Sequence, residues 1–446
     1  MTPLPPKPNR PSYLGDPWLL ATVAALSILG ILFSYSSSIQ VVEAGVTSQG
    51  AWIRQSFFFA SGLVLMAAVS FLNYRKLAEH STLLFVLCLG LLLFTLVFGK
   101  VVNGSRRWIS LGFTTIQPSE FVKIFMVVVI AQFLDRHREE MANWRRVATL
   151  GWLVAAPSLL IFMQPDLGTT LVFLPMTLAM LFVGGIPVKW FIGMLTVGFL
   201  AVAIPLYITY ANITHMVDNP VIEVLGNKFW LLSIGLFFLF AAGILALVNL
   251  SMRNLAIGNI LFFCLVICAG VLLALTVESF LLKEYQRERL LAFINPNVNR
   301  WEFGYNVIQA QITVGSGGLF GKGFAQGTQG QLGFLPSRQT DFIFSVIGEE
   351  TGFLGSSLVV GLFGLLLWRL IRIARDVKDY LGGLIVVGIL TKFTMQVFVN
   401  VGMNIGIAPV TGIPLPFLTY GGSALWTSLL AIGIVLNVDH RRHVHH

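Results

Sequence analysis

Apolar residues fall into blocks of about twenty along this chain, separated by short polar stretches, and a block of that length crosses the ~30 Å hydrocarbon core of a bilayer as a helix. Twelve blocks stand out, at about 17–37, 53–72, 82–98, 119–133, 148–163, 169–187, 190–209, 229–249, 256–277, 341–367, 381–402 and 421–438. Stretches such as Leu83 to Phe98 are unbroken, unlike the alternating ~10-residue segments of a membrane β-barrel. The pattern predicts an all-α fold: a polytopic transmembrane helical bundle of about 12 spans. Between the ninth and tenth blocks lies a long loop, 278–340, predicted to be partly helical. Its apolar residues, among them Leu290, Phe293, Ile308, Phe320 and Phe334, suit packing on the membrane surface or against the bundle.

Composition sharpens this picture. The 446 residues are 56% hydrophobic and 11% charged, with a mean hydropathy of +0.81, whereas a soluble chain carries about 25% charged residues. The net charge of +9 raises the question of nucleic acid, but the basic residues lie between apolar blocks and form no aromatic-interleaved stripe, so no nucleic-acid partner is expected. Topogenic charge explains them. With the N-terminal tail 1–16 inside, the inner segments hold 16 Lys and Arg, against five in the short outer loops: Arg54, Lys100, Arg106, Arg107 and Lys228. The positive-inside rule then puts both termini, including the tail 439–446, in the cytoplasm. Lys100 to Pro118 and the 278–340 loop fall on the outer face, and a loop that long is usually functional. Cys88, Cys264 and Cys268 sit within apolar runs, where thiols act as small hydrophobes. The polar, Pro-rich start of the chain shows no cleavable-signal pattern, so the first span is expected in the mature protein.

An ionisable group in hydrocarbon costs at least ~2.5–3.5 kcal/mol, so each one asks for a reason. Glu120 and Lys123 share a helix face at i, i+3 and can neutralise one another. Asp166, in Gln164-Pro-Asp-Leu-Gly168, can cap the sixth span, and Asp341 can cap the tenth. Glu349 and Glu350 lie deeper and must face protein or water; Lys392, deep in the eleventh span, is expected to be a buried partner for one of them. The run Gly315-Ser-Gly-Gly-Leu-Phe-Gly-Lys-Gly323 fails as a P-loop, since Gly323 stands where Ser or Thr is required. His440, His443, His445 and His446 read as part of a basic juxtamembrane tail more than as a metal site.

Asn103-Gly-Ser-Arg-Arg-Trp-Ile-Ser-Leu-Gly112 followed by Gln117-Pro-Ser-Glu-Phe-Val-Lys123 resembles the SEDS family (shape, elongation, division and sporulation), typified by RodA and FtsW. The likeness continues through Gln164-Pro-Asp-Leu-Gly-Thr169, Tyr285-Gln-Arg-Glu-Arg289, Gly304-Tyr305, Gln309, Gly315-Ser-Gly-Gly-Leu319, Gly321-Lys-Gly323, Pro409-Val-Thr-Gly-Ile-Pro-Leu-Pro-Phe417 and Tyr420-Gly-Gly-Ser423. Gly327-Thr-Gln329, and Phe334-Leu-Pro336 before Thr340-Asp-Phe-Ile-Phe344, look more like the RodA branch. Two departures stand out. Relative to a ten-span family core, about 70 residues are added between Asp166 and Tyr285, so that 210–277 reads as an inserted segment with two extra spans within one membrane domain. Gln339 stands where the family usually has His, and Ser337 where Glu is common.

The resemblance implies a peptidoglycan glycosyltransferase, a hexosyltransferase that polymerises lipid II into glycan strands at the outer face of the bacterial cytoplasmic (inner) membrane during cell elongation and shape maintenance. A sugar hydroxyl attacks the anomeric carbon while undecaprenyl diphosphate leaves; this needs a general base, and cations where negative charge gathers, but no strong acid. By the resemblance Asp341 is the base. Arg107 and Lys123 are diphosphate partners, with Arg suited to forked contacts; Glu120 orients Lys123 or helps hold a divalent cation, Mg or Mn, and Trp108 forms an apolar or sugar-stacking wall. Gln117, Ser119, Asp166 and Arg338 join the substrate-binding set. Implied partners are lipid II, a class B penicillin-binding protein (a transpeptidase), other elongation-machinery membrane proteins, and the bilayer itself. A lipid II flippase, an FtsW-like division polymerase and a non-catalytic scaffold are the alternatives. A flippase would depend on Asp166, Glu349 and Lys392 more than on Asp341.

Overall fold

The computed structural model describes residues 16–43, 50–102, 105–110, 112, 114–164, 166–214, 227–252, 254–281, 284–294 and 303–441. Most of the N-terminal tail, the end of the C-terminal tail with His443, His445 and His446, and parts of the 210–277 and 278–340 segments lie outside the described residues. Each predicted span is a helix. In chain order these are α1 (Pro17–Glu43), α2 (Ala51–Phe71), the short α3 (Tyr74–Glu79), α4 (Ser81–Phe98), α5 (Pro118–Arg136), α6 (Trp144–Met163), α7 (Leu167–Val183), α8 (Val188–Thr214), α9 (Lys228–Met252) and α10 (Leu255–Thr276). In the long loop follow α11 (Glu284–Ile294), α12 (Phe303–Ser316) and α13 (Thr328–Gln331), and then α14 (Ile343–Asp376), α15 (Tyr380–Asn404) and α16 (Gly422–Arg441). Ten of the described helices are long and apolar enough to cross a membrane. The other two predicted spans are α5, which carries four charged residues, and the 17-residue α7. The protein is a multi-pass helical membrane protein.

The sequence pattern did not reveal a small antiparallel sheet between α4 and α5: β1 (Lys100–Val102), β2 (Ser105–Ser110) and β3 (Thr115–Ile116), in the order β1-β2-β3. Its strands are two to six residues long, too short to show a period of two.

The chain divides into two compact units, Met1–Gly185 with Gln309–His446, and Ile186–Ile308. In the first, α5, α15 and α16 pack together at the centre, with α2 laid along α16, α7 along α15 and α1 along α14. The most buried helix is among the least apolar of the ten: 89% of the hydrophobic stretch of α16 lies inside the protein, against 17% for α9. A helix facing other helices does not need the uniformly apolar surface that one facing lipid does. Close approach replaces hydrophobicity; a methyl at Gly433 would sit 2.7 Å from the Met66 carbonyl oxygen. In the second unit, α8, α9 and α10 pack around Ile204, Ile208, Leu231, Val271 and Ala274. Beyond α10 a turn of π-helix, Val277–Leu281, places Glu278 2.7 Å from Arg287.

One interruption shapes the first unit. Gly352 breaks α14 with φ 66° and ψ −163°, a region open essentially to glycine alone. A break within a membrane helix strands backbone groups that lipid cannot satisfy. The glycine-rich segment satisfies them: Lys322 and Gly323 N–H donate to the carbonyls of Glu349 and Glu350 at 3.0 Å each, while Phe353 and Leu354 N–H donate to Gly318 and Leu319 at 2.9 and 3.2 Å. Gly321 fits because a methyl there would lie 2.2 Å from the Glu350 carbonyl oxygen. The P-loop look-alike is thus a backbone plug for a broken helix.

Candidate active site

The segment 409–421, which leads into α16 at Gly422, is irregular because Pro409, Pro414 and Pro416 lack the N–H that a helix needs. It ties together the starts of three helices. Ser423 Oγ accepts from Gln117 N–H at 2.9 Å, just ahead of α5, where Pro118 occupies the first turn. At the start of α7, a methyl on Gly168 would meet the Thr411 carbonyl at 2.8 Å. Ahead of α14, Thr419 Oγ1 donates to the Thr340 carbonyl at 3.1 Å, Tyr420 N–H donates to that of Gln339 at 2.9 Å, and a methyl on Gly412 would lie 3.7 Å from an Asp341 carboxylate oxygen.

Around this segment the structure gathers four of the expected residues. Asp166, 4% exposed, caps α7 by accepting from Thr169 N–H at 3.2 Å. It is also more than a cap: its other oxygen accepts from Gln117 Nε2 at 2.6 Å, Ser119 Oγ at 3.1 Å and Thr169 Oγ1 at 2.9 Å. Arg107 approaches Asp166 at 3.8 Å, and its own Nε–H has no partner among the described residues. Tethered on one side and 28% exposed, this guanidinium keeps donors for a forked contact to an anion. Trp108 follows it on β2, and Arg107 is itself the extra residue of a bulge there, since Val101 pairs with Arg106 and Lys100 with Trp108.

Asp341 is not the helix cap. Helix α14 begins at Ile343 with Phe342 in the cap position, so Asp341 stands one residue further out. Its own carbonyl accepts from Asn400 Nδ2 at 3.2 Å and Asn404 Nδ2 at 3.1 Å on α15. Asn400 also donates to the Ile413 carbonyl at 2.8 Å, and Asn404 accepts from Ser345 Oγ at 2.6 Å. These two fully buried amides, one turn apart, fix the backbone that carries Asp341. Sequence reasoning passed over them, although two Asn at i, i+4 in an apolar helix are a signal in their own right. Arg338, three residues ahead, is 8% exposed, and burial pulls its guanidinium below the ordinary value. Gln339 reaches α1, donating to the Ser37 carbonyl at 3.4 Å.

Glu120 and Lys123 form the expected pair at 2.6 Å, but they are sealed in the bundle at 3% and 1% exposed. Lys392 joins them rather than Glu349 or Glu350, a correction to the pairing expected from the sequence: it lies in the field of Lys123 and Glu120, its ammonium has no hydrogen-bond partner among the described residues, and it rests 4.5 Å from the centre of the Phe393 ring. The two glutamates are already taken. Glu349 is bound by Lys322 at 2.7 Å and by the N–H groups of Gln329 and Gly330 at 2.8 and 3.0 Å; Glu350 is bound by Ser36 Oγ and by Ala325 N–H at 3.1 Å. Among the described residues no three His, Cys, Asp or Glu side chains gather.

Residues 17–220 and 224–444 match the FtsW/RodA/SpoVE family model, described as "Cell cycle protein". The chain belongs to this family. This family member is 37% identical over 432 residues to the peptidoglycan glycosyltransferase RodA of Treponema pallidum, covering 96% of this chain and 98% of that one. It is 34% identical to stage V sporulation protein E of Bacillus subtilis, over 95% and 97% of the two chains. Among solved structures it is similar to a chain of a peptidoglycan synthase complex that coordinates polymerization and crosslinking, with a TM-score of 0.66, 28% identity, and 97% and 99% of the chains covered.

Proposed function

We propose that this protein is a peptidoglycan glycosyltransferase of the RodA type, polymerising lipid II on the outer face of the bacterial cytoplasmic membrane. The observation that carries the reading is the end-to-end similarity to a relative named for that activity. The geometry suits the chemistry. Asp341, on a backbone fixed by Asn400 and Asn404, is the base that takes the proton of the attacking sugar hydroxyl. Arg107, oriented by Asp166, receives the negative charge that gathers on the departing diphosphate. Gln117, Ser119 and Thr169 hold Asp166 in place. The buried Glu120–Lys123 pair lies on the first turns of α5, the helix that follows Gln117 and carries Ser119.

A transport path through the buried charges fits less well, because Glu349 and Glu350 are consumed in holding the loop to the broken helix. By analogy with the synthase complex, a transpeptidase of the penicillin-binding class is the proposed partner. The test is glycan polymerisation from labelled lipid II, with and without that partner. Asp341→Asn should slow it by at least ~100-fold with an unchanged elution profile; a near-normal rate would remove Asp341 as the base.

A further inference from the structure

At the end of α5 far from the candidate active site, a cavity of about 140 Å³ opens between α4, α5 and α6, lined by Ser81, Phe85, Gln132, Phe133, Arg136, His137 and their neighbours. It has room for a small organic group. Helix α5 runs from Pro118 to Arg136, about 27 Å at 1.5 Å per residue, so cavity and site lie at opposite surfaces of a ~30 Å hydrocarbon core.

The cations alone have an ordinary explanation, since Arg136 and His137 complement the negative end of α5. The buried polar groups do not. Gln132 and Ser81 are each 8% exposed, line the cavity, and make no side-chain hydrogen bond among the described residues, so both keep polar atoms at the cavity wall for a ligand that enters it. Helix α4 starts at Ser81 with no side chain among the described residues capping its first turn, so its N-terminus also favours an anion. Arg136 makes no salt bridge among the described residues, while the adjacent Asp135 lies in the field of Asp379 and Arg75 as well as of Arg136. His137 Nδ1 donates to the Phe133 carbonyl at 2.9 Å, which leaves Nε2 for a ligand. Phe85, Val129 and Leu153 form an apolar wall.

From this arrangement we infer that the cavity binds the phosphate headgroup of an anionic phospholipid in the leaflet opposite the active site. Arg136 and His137 meet the phosphate, Gln132 and Ser81 the glycerol and ester oxygens, and the apolar wall the start of one acyl chain. Basic pockets between membrane helices are a known setting for such headgroups.

The test uses the full chain in nanodiscs of phosphatidylcholine, with or without phosphatidylglycerol, read by thermal midpoint and by native mass spectrometry of retained lipid. Wild type should retain phosphatidylglycerol over phosphatidylcholine and unfold at a higher temperature with it. Arg136→Gln, at an exposed position that leaves the core untouched, should weaken retention by about tenfold, and Gln132→Leu should do the same. Should Gln132→Leu fail to fold, Arg136→Gln carries the test. Equal retention of the two lipids, or unchanged retention in Arg136→Gln, overturns the proposal. So does inorganic phosphate reproducing the stabilisation in phosphatidylcholine alone, which would make the ligand a free phosphate.

Discussion

Replacing Lys322 with Met tests how the glycine-rich segment is held to α14. Glu349 is 0% exposed and Lys322 27%, with 2.7 Å between them. Removing one partner of a fully buried pair costs roughly 3–5 kcal/mol. Here the ammonium is already partly in water, and the carboxylate keeps Gln329 N–H, Gly330 N–H and Thr328 Oγ1, so about 2–3 kcal/mol is the expected loss. That loss falls on local opening of the segment rather than on global unfolding, because the break at Gly352 is where the two meet. The assay is hydrogen exchange at the Gln329 and Gly330 amides, which donate directly to Glu349. At 1.4 kcal/mol per decade, exchange there should accelerate by roughly 30- to 150-fold while amides in α16 stay unchanged. Unchanged exchange at Gln329 and Gly330 in Lys322→Met would refute the ion pair as the clamp, and loss of protection throughout α16 would refute the local character of the opening.

Three further outcomes are expected. Gly352→Ala should destabilise the protein by about 3 kcal/mol or more, since the new methyl would lie 2.3 Å from Gly321 N; a wild-type thermal midpoint would mean the break can be relieved elsewhere. Lys392→Met should raise stability by about 1–3 kcal/mol, because the change removes a buried ammonium whose compensation is a ring face and one shared carboxylate; a fall in the midpoint would show that Lys392 is held by more than these. Tyr74, 4% exposed, has its hydroxyl pKa pushed up to about 12, first by burial and then by its hydrogen bond to Asp379. Its contribution is complete below pH ~10, where folded and unfolded forms are both protonated, and is lost as pH rises from ~10 towards 12, in all about 2–3 kcal/mol. An equally steep alkaline decline in Tyr74→Phe would assign the loss to other groups.

The sequence by itself determined the twelve helices, because crossing hydrocarbon demands an unbroken apolar length that is written locally. It also marked most of the site residues, since a charge or amide in such a run is costly enough to stand out: Asp166, Glu120, Lys123 and Asp341 could be named before any fold was known. Partners could not be read this way. Lys392 was matched to Glu349 or Glu350 from depth along the helices, yet it lies by the Glu120–Lys123 pair because α15 packs on α5. Only the tertiary structure decided that α16 is the most buried span, since hydropathy measures what lipid tolerates and says nothing of which helices a helix meets. Nor could the chain show that Gly315 to Gly323 plugs a helix broken at Gly352, or that Asn400 and Asn404 fix the Asp341 backbone. Each of those contacts closes between segments some 30 to 60 residues apart, and what selects them is the need to satisfy every backbone group where no water reaches.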